Sequence, residues 1–167
     1  MSFSIVPSLF TVANLVLGIL AIINIMGDKF YYAAVFIILA MIMDVLDGRV
    51  ARKLDVSSNF GKELDSLADV VSFGVAPAIL VYAQSLEVYQ WLGLIVIIWY
   101  AVAGALRLAR FNVITTSGYY QGVPITAAGS FLAFLLFFPH LISPVVYLLI
   151  TLALGFLMIS TIRVPKI

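Results

Sequence analysis

The chain has 167 residues, 64% of them hydrophobic and only 10% charged, with a formal net charge of +1. Soluble domains carry about 25% charged residues, so water is not the main solvent, and no basic block or motif points to nucleic acid. There is no cysteine, which removes disulfides, thiolate metal sites and cysteine nucleophiles.

Apolar runs divide the chain into six stretches, each long enough to cross a bilayer as a helix of about 20 residues. The first runs from Pro7 to Met26 and ends at the Gly27-Asp28-Lys29 turn. It lacks a basic leader and a small-residue cleavage site, and so reads as a retained helix. The second covers Phe30 to Lys53, the third Ser58 to Gln84 and the fourth Val88 to Asn112. A polar loop at Thr115-Thr116-Ser117-Gly118 follows. The fifth spans Pro124 to Leu141, and Ser143-Pro144 opens the sixth, which ends near Arg163. Helices satisfy their own backbone in lipid. The expected fold is therefore all-α: a polytopic membrane protein of six transmembrane helices, forming a single domain over residues 1–167.

Threading these six helices places Arg49, Arg52, Lys53, Lys62, Arg107, Arg110, Arg163 and Lys166 on one side. Only Lys29, of nine basic residues, falls opposite. The positive-inside rule makes the rich side cytoplasmic, and both termini with it. No internal repeat of the transporter type is visible.

Of eight acidic residues, six lie between Asp44 and Asp69. At about 100° per residue, Asp44 and Asp47 sit about 60° apart on one helical face, with Gly48 and Ala51. On the next helix Gly61, Asp65 and Asp69 step by four, one above another. Asp55 and Glu63 lie off these faces and read as solvated. Joined by a short loop, the two helices are antiparallel neighbours whose acidic faces can meet. Facing carboxylates at a membrane repel and are expensive to desolvate, and a bound divalent cation resolves both problems. Ligands that are all carboxylate suit Mg²⁺, Mn²⁺ or Ca²⁺. Gly48, Ala51 and Gly61 serve either close approach of a ligand or helix packing.

The run Asp44-x2-Asp47-Gly48-x2-Ala51-Arg52-x8-Gly61-x3-Asp65-x3-Asp69 resembles the signature of the CDP-alcohol phosphatidyltransferase family at every specified position. That resemblance implies transfer of a phosphatidyl-type group from a CDP-linked lipid to an alcohol, with release of CMP. It implies that Asp44, Asp47, Asp65 and Asp69 bind two divalent metal ions, and that Asp69 is also the general base. Gly48, Ala51 and Gly61 would line the cytidine pocket and Arg52 would lie near a phosphate. A homodimer is implied as well. No nucleophile is evident, since His140 falls on the far side, so direct displacement is expected.

A second set of residues narrows the family. Thr11-Val12-Ala13-Asn14, Ser72-Phe73-Gly74-Val75-Ala76-Pro77, Arg107-Leu108-Ala109-Arg110-Phe111-Asn112 and Gly122-Val123-Pro124 are similar to its membrane-embedded phosphatidylserine synthase branch. The chain departs from that branch at Ser8 and Tyr120. The resemblance implies a CDP-diacylglycerol donor, or an ether-lipid analogue, and L-serine as acceptor. Arg107 and Arg110, one turn apart, suit a carboxylate or anchor to lipid phosphates. Asn112 meets the serine ammonium or caps its helix. Asn14, polar within an apolar span, contacts the CDP-lipid or a neighbouring helix. Trp91, Trp99 and the tyrosines read as interface belts and helix packing, and Pro77 as a kink. The competing readings are a relative using inositol phosphate or glycerol phosphate and, from another class, a divalent-cation transporter.

Overall fold

A computed structural model describes residues 5–54, 59–113, 119–161 and 163–165. Helix α1 is Ile5–Met26 and α2 is Phe30–Leu54. They are joined by the tight turn at Gly27-Asp28-Lys29, where Asp28 takes a φ of 57°. The third span is one continuous rod, Asn59–Tyr89. It opens as α3 (Asn59–Asp69), widens into a π-helical turn over Val70–Val75, resumes as α4 (Ala76–Val81) and widens again over Tyr82–Leu86. Helix α5 is Trp91–Val113, α6 is Ile125–Leu135 and α7 is Pro144–Ile159.

Four of these spans are long and apolar enough to cross a membrane, and two apolar helices are shorter. The chain is an integral membrane protein, and the six expected spans are present. Their lengths differ from the sequence expectation in the second half. Helix α6 has 11 residues, about 16 Å at 1.5 Å per residue, and stops well short of Leu141. The cause is Pro139, which supplies no N–H and crowds the carbonyl four residues before it. That carbonyl belongs to Leu135, the last residue of α6, and it accepts a hydrogen bond from the Tyr147 hydroxyl at 2.9 Å. The neighbouring Leu136 carbonyl accepts from Gln84 Nε2 at 3.1 Å.

Pro77 creates the same problem inside the third span. The carbonyl four residues before it is Phe73, within the π-helical turn, and Tyr100 donates its hydroxyl to it at 3.0 Å. Tyr100 and Tyr147 are fully buried. These two tyrosines therefore cap broken backbone inside the bundle instead of standing in an interface belt.

The sixth helix ends four residues earlier than expected. Arg163–Pro165 leaves the helix and pairs antiparallel with Tyr119–Gln121, in the register Tyr120 to Val164. This ribbon is the one departure from helix and turn among the described residues. Gly122 follows it with a φ of 72°, a left-handed conformation that glycine adopts without a Cβ clash.

Lipid offers little hydrophobic drive for helix association, so close packing carries it. The buried faces are accordingly rich in small residues, including Ala33, Ala34, Ala40, Ala103 and Ala128. Helix α1 shows the division most plainly. Thr11, Asn14, Gly18, Ala21 and Ile25 are buried, while Leu9, Val12, Val16, Ile19 and Ile23 are exposed. Both stripes follow the spacing of three and four that keeps residues on one helix face.

Candidate active site

The middle of α2, α3 from Lys62 to its last residue Asp69, the end of α5 and the start of α6 line an open cavity of about 620 Å³. Asp44, Asp65 and Asp69 line it from two helices. One carboxylate oxygen from each lies within 4.8 Å of the others. The expected meeting of the two acidic faces is thus present for these three. Asp47 sits one turn beyond Asp44, as the spacing requires, but is turned toward α1. It is 7% exposed and accepts a hydrogen bond from the Thr11 hydroxyl through Oδ2.

Asp69 is 6% exposed, and its Oδ1 accepts from Asn14 Nδ2 at 3.1 Å. Asn14 is fully buried, and its backbone carbonyl accepts from Ser72 Oγ at 3.0 Å. The Thr126 side chain, the second residue of α6, hydrogen-bonds Asp44. Oδ1 of Asp47 and Oδ1 of Asp65 are buried with no hydrogen-bond partner. A buried carboxylate oxygen without a donor is costly. Two such oxygens beside a three-carboxylate cluster fit a hard cation, because oxygen-only ligands at this spacing can neutralise and coordinate it.

Gly48 faces open space, since a Cβ built there meets no atom within 4 Å. Packing within the chain therefore does not require glycine at this position. Arg52, one turn on, is exposed and donates Nε to the Gly48 carbonyl at 3.1 Å. Gly61 lies in the first turn of α3. Ala51 belongs to α2, but its side chain lies outside the described residues, as does the whole of Asp55.

The three residues assigned to the acceptor separate. Arg107 is 7% exposed, lines the cavity and lies within electrostatic reach of Asp69. Asn112 also lines the cavity, and its Nδ2 donates to Ser66 Oγ at 3.0 Å, joining α5 to α3. Arg110 turns the other way and gives NH1 to the carbonyl of Ile159 at 3.0 Å, closing the end of α7. A cation at a helix C-terminus is favourable in just this way.

Sequence reasoning did not single out Lys62, Ser66 or Thr126, all of which line the cavity. Lys62 and Ser66 are four apart on α3, and Ser66 shares the step from Asp65. A helical projection from the aspartates would have found both. Thr126 carried no local signal, because its value comes from α6 being laid against α2.

A membrane helix bundle with a carboxylate cluster lining an open cavity is the class that fold and site define. The family model for CDP-alcohol phosphatidyltransferase matches residues 4–161, and the chain belongs to that family. A CDP-diacylglycerol–serine O-phosphatidyltransferase of Bacillus subtilis is 37% identical over 161 residues, covering 96% of this chain and 89% of its own. One from Methanocaldococcus jannaschii is 44% identical over 157 residues, covering 93% and 71%. An archaetidylserine synthase of Methanothermobacter thermautotrophicus is 38% identical over 173 residues, covering 99% and 72%.

Proposed function

We propose that this protein is a phosphatidylserine synthase. It transfers a phosphatidyl group from CDP-diacylglycerol, or its ether-linked analogue, to the hydroxyl of L-serine, and it releases CMP. The observation that carries this is the cavity itself. It joins the convergent oxygens of Asp44, Asp65 and Asp69 to Arg107 and Asn112 in one cavity. The names of the three relatives support serine as acceptor.

Asp44, Asp47, Asp65 and Asp69 would hold the divalent ions, two by family resemblance and Mg²⁺ or Mn²⁺ by ligand chemistry. When bound, such ions neutralise pyrophosphate charge and stabilise the entering and leaving oxygens. The chain's own groups do the rest. Asp69 accepts the proton of the serine hydroxyl as its oxygen forms a bond to the lipid-bearing phosphorus. The bond from that phosphorus to the CMP oxygen breaks, with no covalent enzyme intermediate. The demand on the protein is positioning and charge neutralisation. Arg107 would hold the serine carboxylate, and Asn112 its ammonium or carboxylate edge; both line the cavity. Arg110 supports the pocket by tying α7 to α5. By family resemblance Gly48, Ala51, Arg52 and Gly61 would line the cytidine and phosphate pocket, with Asn14 behind Asp69.

The acidic end faces the cytoplasm, on the positive-inside argument, and the protein acts as a homodimer, as the family resemblance implies. The test is CMP release by purified protein, acceptor by acceptor, with and without Mg²⁺, Mn²⁺ and Ca²⁺. Release with L-serine, and not with inositol phosphate or glycerol phosphate, is expected. The opposite preference would move the protein to another branch. Metal flux into liposomes without CDP-lipid would instead favour a transporter.

A further inference from the structure

Asp47 and Asp69 are the two deeply buried members of the acidic cluster. Mutual repulsion favours rotamers that splay the carboxylates apart, so something must hold them in. Both hydrogen-bond donors come from one helix that carries no acidic residue of its own. The Thr11 hydroxyl donates to Asp47 Oδ2, which leaves Oδ1 without a partner. Asn14 Nδ2 donates to Asp69 Oδ1 at 3.1 Å. Thr11 and Asn14 are three apart on the buried face of α1, opposite the exposed stripe from Leu9 to Ile23. The helix is itself pinned, because Ser72 Oγ donates to the Asn14 carbonyl. Gly18 permits this approach, since a Cβ there would collide with Ser72.

We propose that Thr11 and Asn14 are positioning residues. Through them α1 sets the carboxylate of Asp47 to receive a divalent cation and that of Asp69 to receive the acceptor's proton. The inference rests on the metal and base roles proposed above. It assigns Asn14 to the carboxylate instead of to the nucleotide. One oxygen of each aspartate is taken by α1, which leaves the other for the metal or the proton. Outer partners of this kind act on ligand orientation without touching the metal.

The experiment uses the full chain in detergent with CDP present, and Mn²⁺ uptake is followed by the EPR signal of the free ion. Thr11→Val keeps the shape of the side chain and removes the donor. Its Mn²⁺ affinity should fall ~10–100-fold, and Thr11→Ser should restore it. Asn14→Ala should lower kcat for CMP release by about tenfold or more while KM for CDP-diacylglycerol stays level, the pattern of an interaction felt in the transition state. Simple helix-to-helix adhesion would lower thermal stability and leave Mn²⁺ affinity and the kcat-to-KM split unmoved. The proposal is overturned if Thr11→Val binds Mn²⁺ like the parent, or if Thr11→Ser is as weak as Thr11→Val. It is also overturned if Asn14→Ala raises KM for the lipid with kcat unchanged. Failure of the parent protein to take up Mn²⁺ would sink the metal reading together with this one. Uptake by both parent and Thr11→Val would sink only the positioning role.

Discussion

The two proline breaks and the carboxylate cluster treat polar atoms differently. The backbone ladder is interrupted at Phe73 by Pro77, one turn past Asp69, and at Leu135 by Pro139, and a buried tyrosine hydroxyl meets each freed carbonyl. At the acidic end, Asp47 and Asp65 each keep a buried oxygen without a partner. Inside a membrane the chain satisfies its own polar groups because lipid cannot. Gln84 Oε1, Trp99 Nε1 and Ser130 Oγ are also buried without a partner among the described residues, so what sets the Asp47 and Asp65 oxygens apart is their place in and beside the carboxylate cluster.

The largest expected effect is at Asp69. Asp69→Asn keeps the shape and the Asn14 contact but removes the base, so CMP release should fall by about 10²–10⁴-fold. CDP-lipid binding, measured by calorimetry, should persist. Retained turnover would move the base elsewhere. Next comes Asn112→Ala, which should raise KM for serine about tenfold, the equivalent of roughly 1.4 kcal/mol. KM for CDP-diacylglycerol should not move. An equal rise in both would show that Asn112 merely joins α5 to α3 through Ser66.

Gly48→Ala tests the open space directly. Alanine favours a helix over glycine by about 1 kcal/mol, and the new methyl meets no protein atom. Apparent Tm should therefore rise while KM for the CDP-lipid worsens. A variant that is more stable and equally active would remove Gly48 from the ligand pocket. The smallest effects belong to the tyrosine caps. Tyr100→Phe and Tyr147→Phe should each cost about 1–3 kcal/mol through an unsatisfied carbonyl, read as lower apparent Tm. Only Tyr100→Phe should also lower kcat, because Phe73 lies in the wide turn that follows Asp69. Equal loss of kcat in both variants would erase the distinction between the two breaks.

Much of the site was legible along the chain because its key residues lie on two consecutive helices. Local periodicity places Asp44 above Asp47, and Asp65 above Asp69, whatever the rest of the fold does. Arg107 and Arg110 show the limit of that reasoning. One turn apart, they share a face on paper, yet one enters the cavity and the other caps α7. A 60° difference is enough when different helices stand on either side. The tyrosines show it too. An apolar body with a polar tip suits an interface or a buried acceptor equally well, and composition does not choose between them.

Sequence by itself determined the solvent, the number of spans and the helical phase of the four aspartates, since each follows from composition or from a period of 3.6 residues. The spacing with Gly48, Arg52 and Gly61 determined the family. Tertiary structure decided what no single helix encodes. It turned Asp47 toward Thr11, set Asn14 behind Asp69, brought Thr126 to Asp44 and laid Tyr147 against the Leu135 carbonyl that Pro139 leaves free. The physical reason is that a hydrogen bond between helices depends on how deep each sits and how it is rotated. Those quantities are fixed only when all the small-residue faces pack together.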